Sequence, residues 1–269
     1  MNGLIFSLSF LKNPIIVLIA ISFLFSLLGI FVIIRKMSFL GEGIAHSSIL
    51  ALALAYLFNF DQLLAGIIWA IFFSLLIFFL EKNTTLTTDV LIAILFISSL
   101  SLGIIIFSII NIKTDLLSIL FGNVFIISSA EVWFILIVSL IIFLYFLKNY
   151  KKLLLIFIHK DIARLEGIKI EKNLLIFYIF LAITIILGIK ALGIILVNAL
   201  LIIPASISNL VSKSFSDFML KSIIFSEIIS LSGLFSSYYL NLPTGPTITI
   251  AGCLLLLLIL TIKKLIIKI

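Results

Sequence analysis

Long apolar runs alternate with short polar punctuation along this chain, and the runs recur at about the length needed to cross a bilayer. A spanning helix needs about 20 mostly apolar residues. Such runs lie at 14–34, 39–58, 62–80, 90–110 and 131–147, then, after a polar interval, at 174–189, 191–211, 218–240 and 246–262. The pattern predicts nine spanning helices. Eight is the alternative count, because 174–189 and 191–211 are short or crowded by Lys190 and Pro204. The expected fold is an all-α polytopic membrane protein, a single domain over 1–269.

Composition agrees with the pattern. Hydrophobic residues make up 64% of the chain and charged residues 11%, with a mean hydropathy of +1.47, more apolar surface than a soluble core of this length buries. Residues 4–11 are apolar, but the run is short, Lys12 interrupts it and no small-residue cleavage pattern follows, so no cleavable signal is expected. The single cysteine, Cys253, excludes a disulfide framework or a multi-thiolate metal site within one chain.

Charge orients the helices. Seven of the eighteen Lys and Arg residues fall between Lys148 and Lys172, which marks the interval 148–173 as cytoplasmic by the positive-inside rule. With nine helices, Arg35, Lys36, Lys82, Lys213, Lys263, Lys264 and Lys268 share that side. The intervening turns, near Asn59 to Gln62, Asn111 to Asp115 and Asn241 to Pro246, carry only Lys113 and read as extracytoplasmic. The net charge of +7 needs no nucleic acid, since cytoplasmic loops facing anionic lipid account for it.

Against this apolar background, Gly41-Glu42-Gly43-Ile44-Ala45-His46 is unusual, because it sets a carboxylate and an imidazole inside a predicted spanning helix. Four residues apart, Glu42 and His46 share a helical face and can point at one ion. Other roles are open to them: His46 as a buried helix histidine bonded to a carbonyl or to Glu42, and Glu42 as a first-turn acid of a helix capped by Ser38. Glu227 sits in mid-segment and either faces a water-filled path or pairs with Lys190, and pairing is preferred over metal contact. Asp89 follows Thr88 at a helix start and is expected to cap. Phe121, Gly122, Gly233 and Gly245 read as turn and close-packing positions.

The cytoplasmic interval contains His159-Lys160-Asp161-Ile162-Ala163-Arg164-Leu165-Glu166-Gly167-Ile168. Asp161 as N-cap, small Ala163 and Gly167 as stop predict a short surface helix. The residues alone leave open whether it docks in a partner or lies on lipid headgroups. No H-E-x-x-H, G-x-S-x-G, Walker A or glycine-rich dinucleotide motif occurs, so the chain is not expected to be an enzyme, and ATP-driven work would need a separate ATPase.

Several of these segments, in order, resemble the membrane-spanning permease subunits of bacterial ABC importers for zinc, manganese or iron(II). Arg35-Lys36-Met37-Ser38-Phe39-Leu40-Gly41-Glu42-Gly43-Ile44-Ala45-His46-Ser47 is similar to the family's basic turn followed by Gly-Asp/Glu-x-x-x-His, where aspartate is common at the position of Glu42. Thr88-Asp89-Val90-Leu91-Ile92-Ala93 has Ala93 where glycine is more usual. Leu120-Phe121-Gly122-Asn123, the Asp161-x-Ala163-x-x-x-Gly167 loop, the stretch from Gly193 through Asn198 to Pro204-Ala205, and Gly233 to Tyr238 followed by Pro243-Thr244-Gly245 complete the series. The resemblance implies a homodimeric permease in the bacterial cytoplasmic membrane, with two copies of an ABC ATPase beneath it and an extracytoplasmic solute-binding protein. It implies Glu42 and His46 as metal contacts on the translocation path, and Asp161, Ala163 and Gly167 as the coupling helix to the ATPase. No permanently bound cofactor is implied, only the transported Zn, Mn or Fe ion. The alternatives are a permease for iron chelates or cobalamin, and an ATP-independent cation channel or carrier.

Overall fold

The computed structural model describes residues 2–110 and 127–267, with side chains over 11–110 and 127–265. Leu120 to Asn123 and the turn at 111–115 lie outside the described residues. Among the described residues ten helices follow in order: α1 (Asn2–Ile34), α2 (Leu40–Phe58), α3 (Gln62–Asn83), α4 (Thr88–Ile110), α5 (Ser129–Ile158), α6 (Lys160–Leu165), α7 (Ile170–Leu192), α8 (Ile194–Val211), α9 (Phe215–Leu240) and α10 (Thr244–Ile267). All except the short α6 are long and apolar enough to span a membrane, so nine spans stand among the described residues and the eight-helix alternative falls. The stretch 170–211 divides at Gly193, whose φ of +83° lies in the region that glycine adopts without steric cost. Pro204 does not end α8, which continues to Val211.

The helix ends follow local chemistry. Asp61 accepts a hydrogen bond from Leu64 N at the start of α3, and Ser128 and Glu131 form a reciprocal capping box at the start of α5. Asn59 and Asn241 adopt left-handed conformations that close α2 and α9.

α1 forms the centre, with 78% of its spanning window buried, whereas α10 on the outside has 17%. Around α1 pack α5, α7, α8 and α9, while α2 is inserted among α3, α4, α7 and α8. Close approach is set by small residues. A side chain at Gly29 would collide with the Leu201 carbonyl oxygen, and one at Gly233 would come 2.5 Å from Ile248 Cα. Serines join α1 to α9: Ser226 Oγ donates to the Ser22 carbonyl at 2.9 Å and Ser222 Oγ to the Ser26 carbonyl at 3.3 Å. Such bonds satisfy hydroxyls that hydrocarbon would leave unpaired.

At one end the basic segments gather. Arg35, closing α1, pairs with Glu81 near the end of α3, whose other oxygen accepts from Tyr178 Oη at 2.8 Å. The guanidinium also lies over the rings of Phe157 and Tyr178, 5.5 and 5.8 Å from their centroids. Lys82 reaches Glu171 at 2.7 Å. These contacts tie the ends of α1, α3, α5 and α7 around the short helix α6.

Candidate metal-conducting site

Glu42 stands in the first turn of α2 and His46 one turn later, about 3 and 9 Å along the axis from Leu40 at 1.5 Å per residue. The pair therefore lies toward the basic end of the span rather than at its middle. Phe39, not Ser38, occupies the N-cap, and no side chain caps the helix. Two glycines bring α2 close to its neighbours on opposite sides. At Gly43 a Cβ would meet Ile92 of α4 at 2.5 Å, and at Gly41 it would meet Asn198 Oδ1 of α8 at 2.6 Å. Between these contacts the face carrying Glu42 and His46 stays open.

His46 Nε2 lies 4.0 Å from Glu42 Oε1, with 27% of the imidazole and 47% of the carboxylate side chain exposed. That separation is too long for a hydrogen bond, so the histidine is not held by the glutamate as a structural pair would be. Its ring rests against Phe96, 5.5 Å between centroids. Both groups keep lone pairs available to a ligand. Among the described residues no set of three or more His, Cys, Asp and Glu converges as a metal site.

A groove of about 340 Å³ between α2 and α4 is lined by Glu42, Phe39, Phe96 and Asp89. Asp89 does not cap α4 as its position suggested. It lies in the first turn, and its Oδ1 is buried without a hydrogen-bond partner. Asn198 Oδ1, beside Gly41, is likewise buried and unpartnered. Two acceptors without donors thus flank the start of α2. By type and position Asp89 resembles a cap, and only the groove it shares with Glu42 marks it as a further carboxylate near the pair.

The expected Lys190 and Glu227 pair does not form. Lys190 Nζ binds Glu131 Oε1 at 2.6 Å, while Glu227 Oε1 accepts from Ser22 Oγ at 2.8 Å and its Oε2 is buried without a partner. The reason is axial: Lys190 is in the last turn of α7, and Glu227 is in the middle of α9.

The interval 159–168 folds as the predicted short helix α6. His159 takes the N-cap without a side-chain bond, so Asp161 does not cap but lies 3.4 Å from Arg164. Gly167, at φ +71°, ends the helix, and Ile168 N bonds back to the Ala163 carbonyl at 3.0 Å. Ala163 is fully buried and faces the bundle, whereas Ile162 and Leu165 are 45% and 88% exposed. The outward apolar pair was not singled out in the sequence, where one turn of helix has too little periodicity to show its faces.

The chain matches the ABC 3 transport family over residues 7–263. It is 29% identical, over 93% of its length and 89% of the relative's, to the manganese import system permease protein ScaB of Streptococcus parasanguinis. To the high-affinity zinc uptake system membrane protein ZnuB of Buchnera aphidicola it is 32% identical, over 92% and 95% of the two chains. A chain in the solved structure of PsaBC from Streptococcus pneumoniae in complex with Fab superposes with a TM-score of 0.82 at 26% identity, covering 96% of this chain and 94% of that one.

Proposed function

Because the chain belongs to the ABC 3 transport family, we propose that it is the permease subunit of an ATP-driven importer that carries a divalent transition metal across the bacterial cytoplasmic membrane. The basic end, with α6, is cytoplasmic, and Glu42 and His46 contact the ion on its way through. The observation that carries this reading is an acid and an imidazole 4.0 Å apart on a partly exposed face of a membrane helix, with no cluster of three or more such ligands among the described residues. Oxygen and nitrogen ligands of this kind suit Mn²⁺, Zn²⁺ and Fe²⁺ alike. Relatives named for manganese and for zinc both support the class.

Two ligands hold an ion weakly, which suits passage, since conduction needs binding loose enough to release. A second copy of the chain, facing the first across the open side of α2, doubles the set to two carboxylates and two imidazoles. Asp89 and its groove lie next to this path. α6 is the coupling helix: Ala163 seats it on the bundle, Gly167 ends it, and Asp161, Ile162 and Leu165 face the ATPase. ATP binding and hydrolysis by that partner tilt the helices carrying Glu42 and His46 and alternate access to the site. An extracytoplasmic solute-binding protein delivers the metal.

The test is total cellular manganese, zinc and iron by elemental mass spectrometry, in metal-poor medium, for the native host and for Glu42→Ala and His46→Ala variants at equal membrane abundance. The expected result is a selective fall in one metal in both variants. Unchanged content of all three would remove the pair from the pathway and favour a chelate permease or a channel.

A further inference from the structure

We propose that the cleft between α6 and the basic ends of α1, α3 and α7 is an anion site for the phosphate headgroup of an acidic membrane lipid. The proposal needs only that the chain is embedded in a membrane and is independent of which solute it carries. The cleft measures about 750 Å³. Six cations line it: Arg35, Lys82, Lys160, Arg164, Lys169 and Lys172. Its two carboxylates are already engaged, Glu81 by Arg35 and Tyr178, and Glu171 by Lys82.

Positive charge is therefore left over. Lys160, Lys169 and Lys172 have no acidic partner among the described residues, and Arg164 has only the exposed Asp161 at 3.4 Å. Arg35 adds a partly satisfied cation to this lining. Its side chain is 12% exposed, and Nη1 is buried with no hydrogen-bond partner although Nη2 is held by Glu81. Arginine carries five N–H donors, more than Glu81 takes from Arg35, and a phosphate oxygen is an acceptor whose charge and geometry suit a guanidinium.

The walls point to a lipid as the source of the phosphate. Phe78, Ile168 and Leu174 line the cleft beside the cations, and Phe79, next in sequence to Phe78, is 51% exposed on the outside of α3. A lipid whose headgroup enters the cleft would lay its acyl chain along the exposed face of α3 that carries Phe79. Basic pockets between the ends of membrane helices are suited to such headgroups. The two faces of α6 then have different roles, with Leu165 turned outward to protein and the basic cleft behind it holding lipid.

The experiment compares the full chain with two double variants of equal charge change. Lys169→Gln/Lys172→Gln alters the cleft, and Lys151→Gln/Lys152→Gln alters exposed cytoplasmic lysines outside it. Each is reconstituted in phosphatidylcholine discs containing a minority of phosphatidylglycerol, extracted and washed in detergent, and examined by native mass spectrometry for retained lipid. Wild type and the Lys151/Lys152 variant should retain phosphatidylglycerol in preference to phosphatidylcholine, and the Lys169/Lys172 variant should retain about tenfold less. Absence of preferential retention by wild type, or equal loss in both variants, would overturn the proposal. Millimolar inorganic phosphate should leave the lipid in place; its displacement, with phosphate bound instead, would assign the cleft to the free anion and reject the lipid. Retention should also survive addition of the ATPase subunit. Lipid expelled by an ATPase that the Lys169/Lys172 variant fails to bind would mean that an acidic partner surface fills the cleft.

Discussion

Lys190 Nζ sits 2.6 Å from Glu131 Oε1, joining the last turn of α7 to the capping box that starts α5. The same carboxylate bonds Ser128, so one side chain fixes a helix start and holds a neighbouring helix end. Glu227, deeper in the bundle, is left to Ser22.

A double-mutant cycle distinguishes these pairings. Lys190 and Glu131 are 45% and 34% exposed, which limits their coupling to about 0.2–1 kcal/mol. Lys190→Met with Glu131→Gln should show that coupling in thermal denaturation of the detergent-solubilised protein. Lys190→Met with Glu227→Gln should be additive, and coupling in the second cycle rather than the first would contradict the observed pairing.

Gly29 and Gly66 form a matched test of helix approach. A methyl at Gly29 would collide with the Leu201 carbonyl of α8, where backbone has no rotamer to yield, whereas one at Gly66 would first touch Ile186 at an ordinary 3.5 Å. Gly29→Ala should destabilise by about 1–3 kcal/mol or more through forced separation of α1 and α8. Gly66→Ala should be neutral or slightly stabilising, because alanine is the better helix former. Equal melting temperatures for the two variants would mean that α1 and α8 do not meet as described.

The loop helix allows folding to be separated from partner binding. Gly167 has open space around it, so Gly167→Val meets no neighbour and pays only the left-handed backbone, about 1–2 kcal/mol. Leu165→Asp, at a site 88% exposed, should change stability by no more than about 0.5 kcal/mol. The proposed coupling role of α6 predicts that both weaken co-purification of an ATPase partner, Gly167→Val by misplacing the helix and Leu165→Asp by removing its outward apolar contact. Undiminished ATPase recovery with Leu165→Asp would show that this face is not the docking surface.

Most of the architecture was legible because it depends on local chain properties. Each of the nine predicted runs contains or overlaps a spanning helix, and Gly193 divides the crowded pair where Lys190 and Pro204 had left the count open. Glu42 and His46 could be put on one face from their spacing alone, and α6 from its flanking residues. What was misread depends on contacts between distant segments. Ser38, Asp89 and Asp161 are good caps by type, yet Phe39 and His159 take two of those positions and Asp89 turns an oxygen into a buried groove. Capping propensity identifies residues that stabilise a helix start, but a helix held on several sides by packing can begin without one.

The sequence by itself determined where the apolar runs lie, the basic side of the bundle and which two side chains share a face, because hydropathy, charge placement and the helical repeat act within about twenty residues of chain. Tertiary structure alone decided that 170–211 divides into two spans, that Lys190 meets Glu131, that Arg35 is buried against Glu81, and that Glu42 shares a groove with Asp89. Those outcomes depend on the relative depth and rotation of packed helices, which are set by where glycines let backbones approach, and no single segment carries that information.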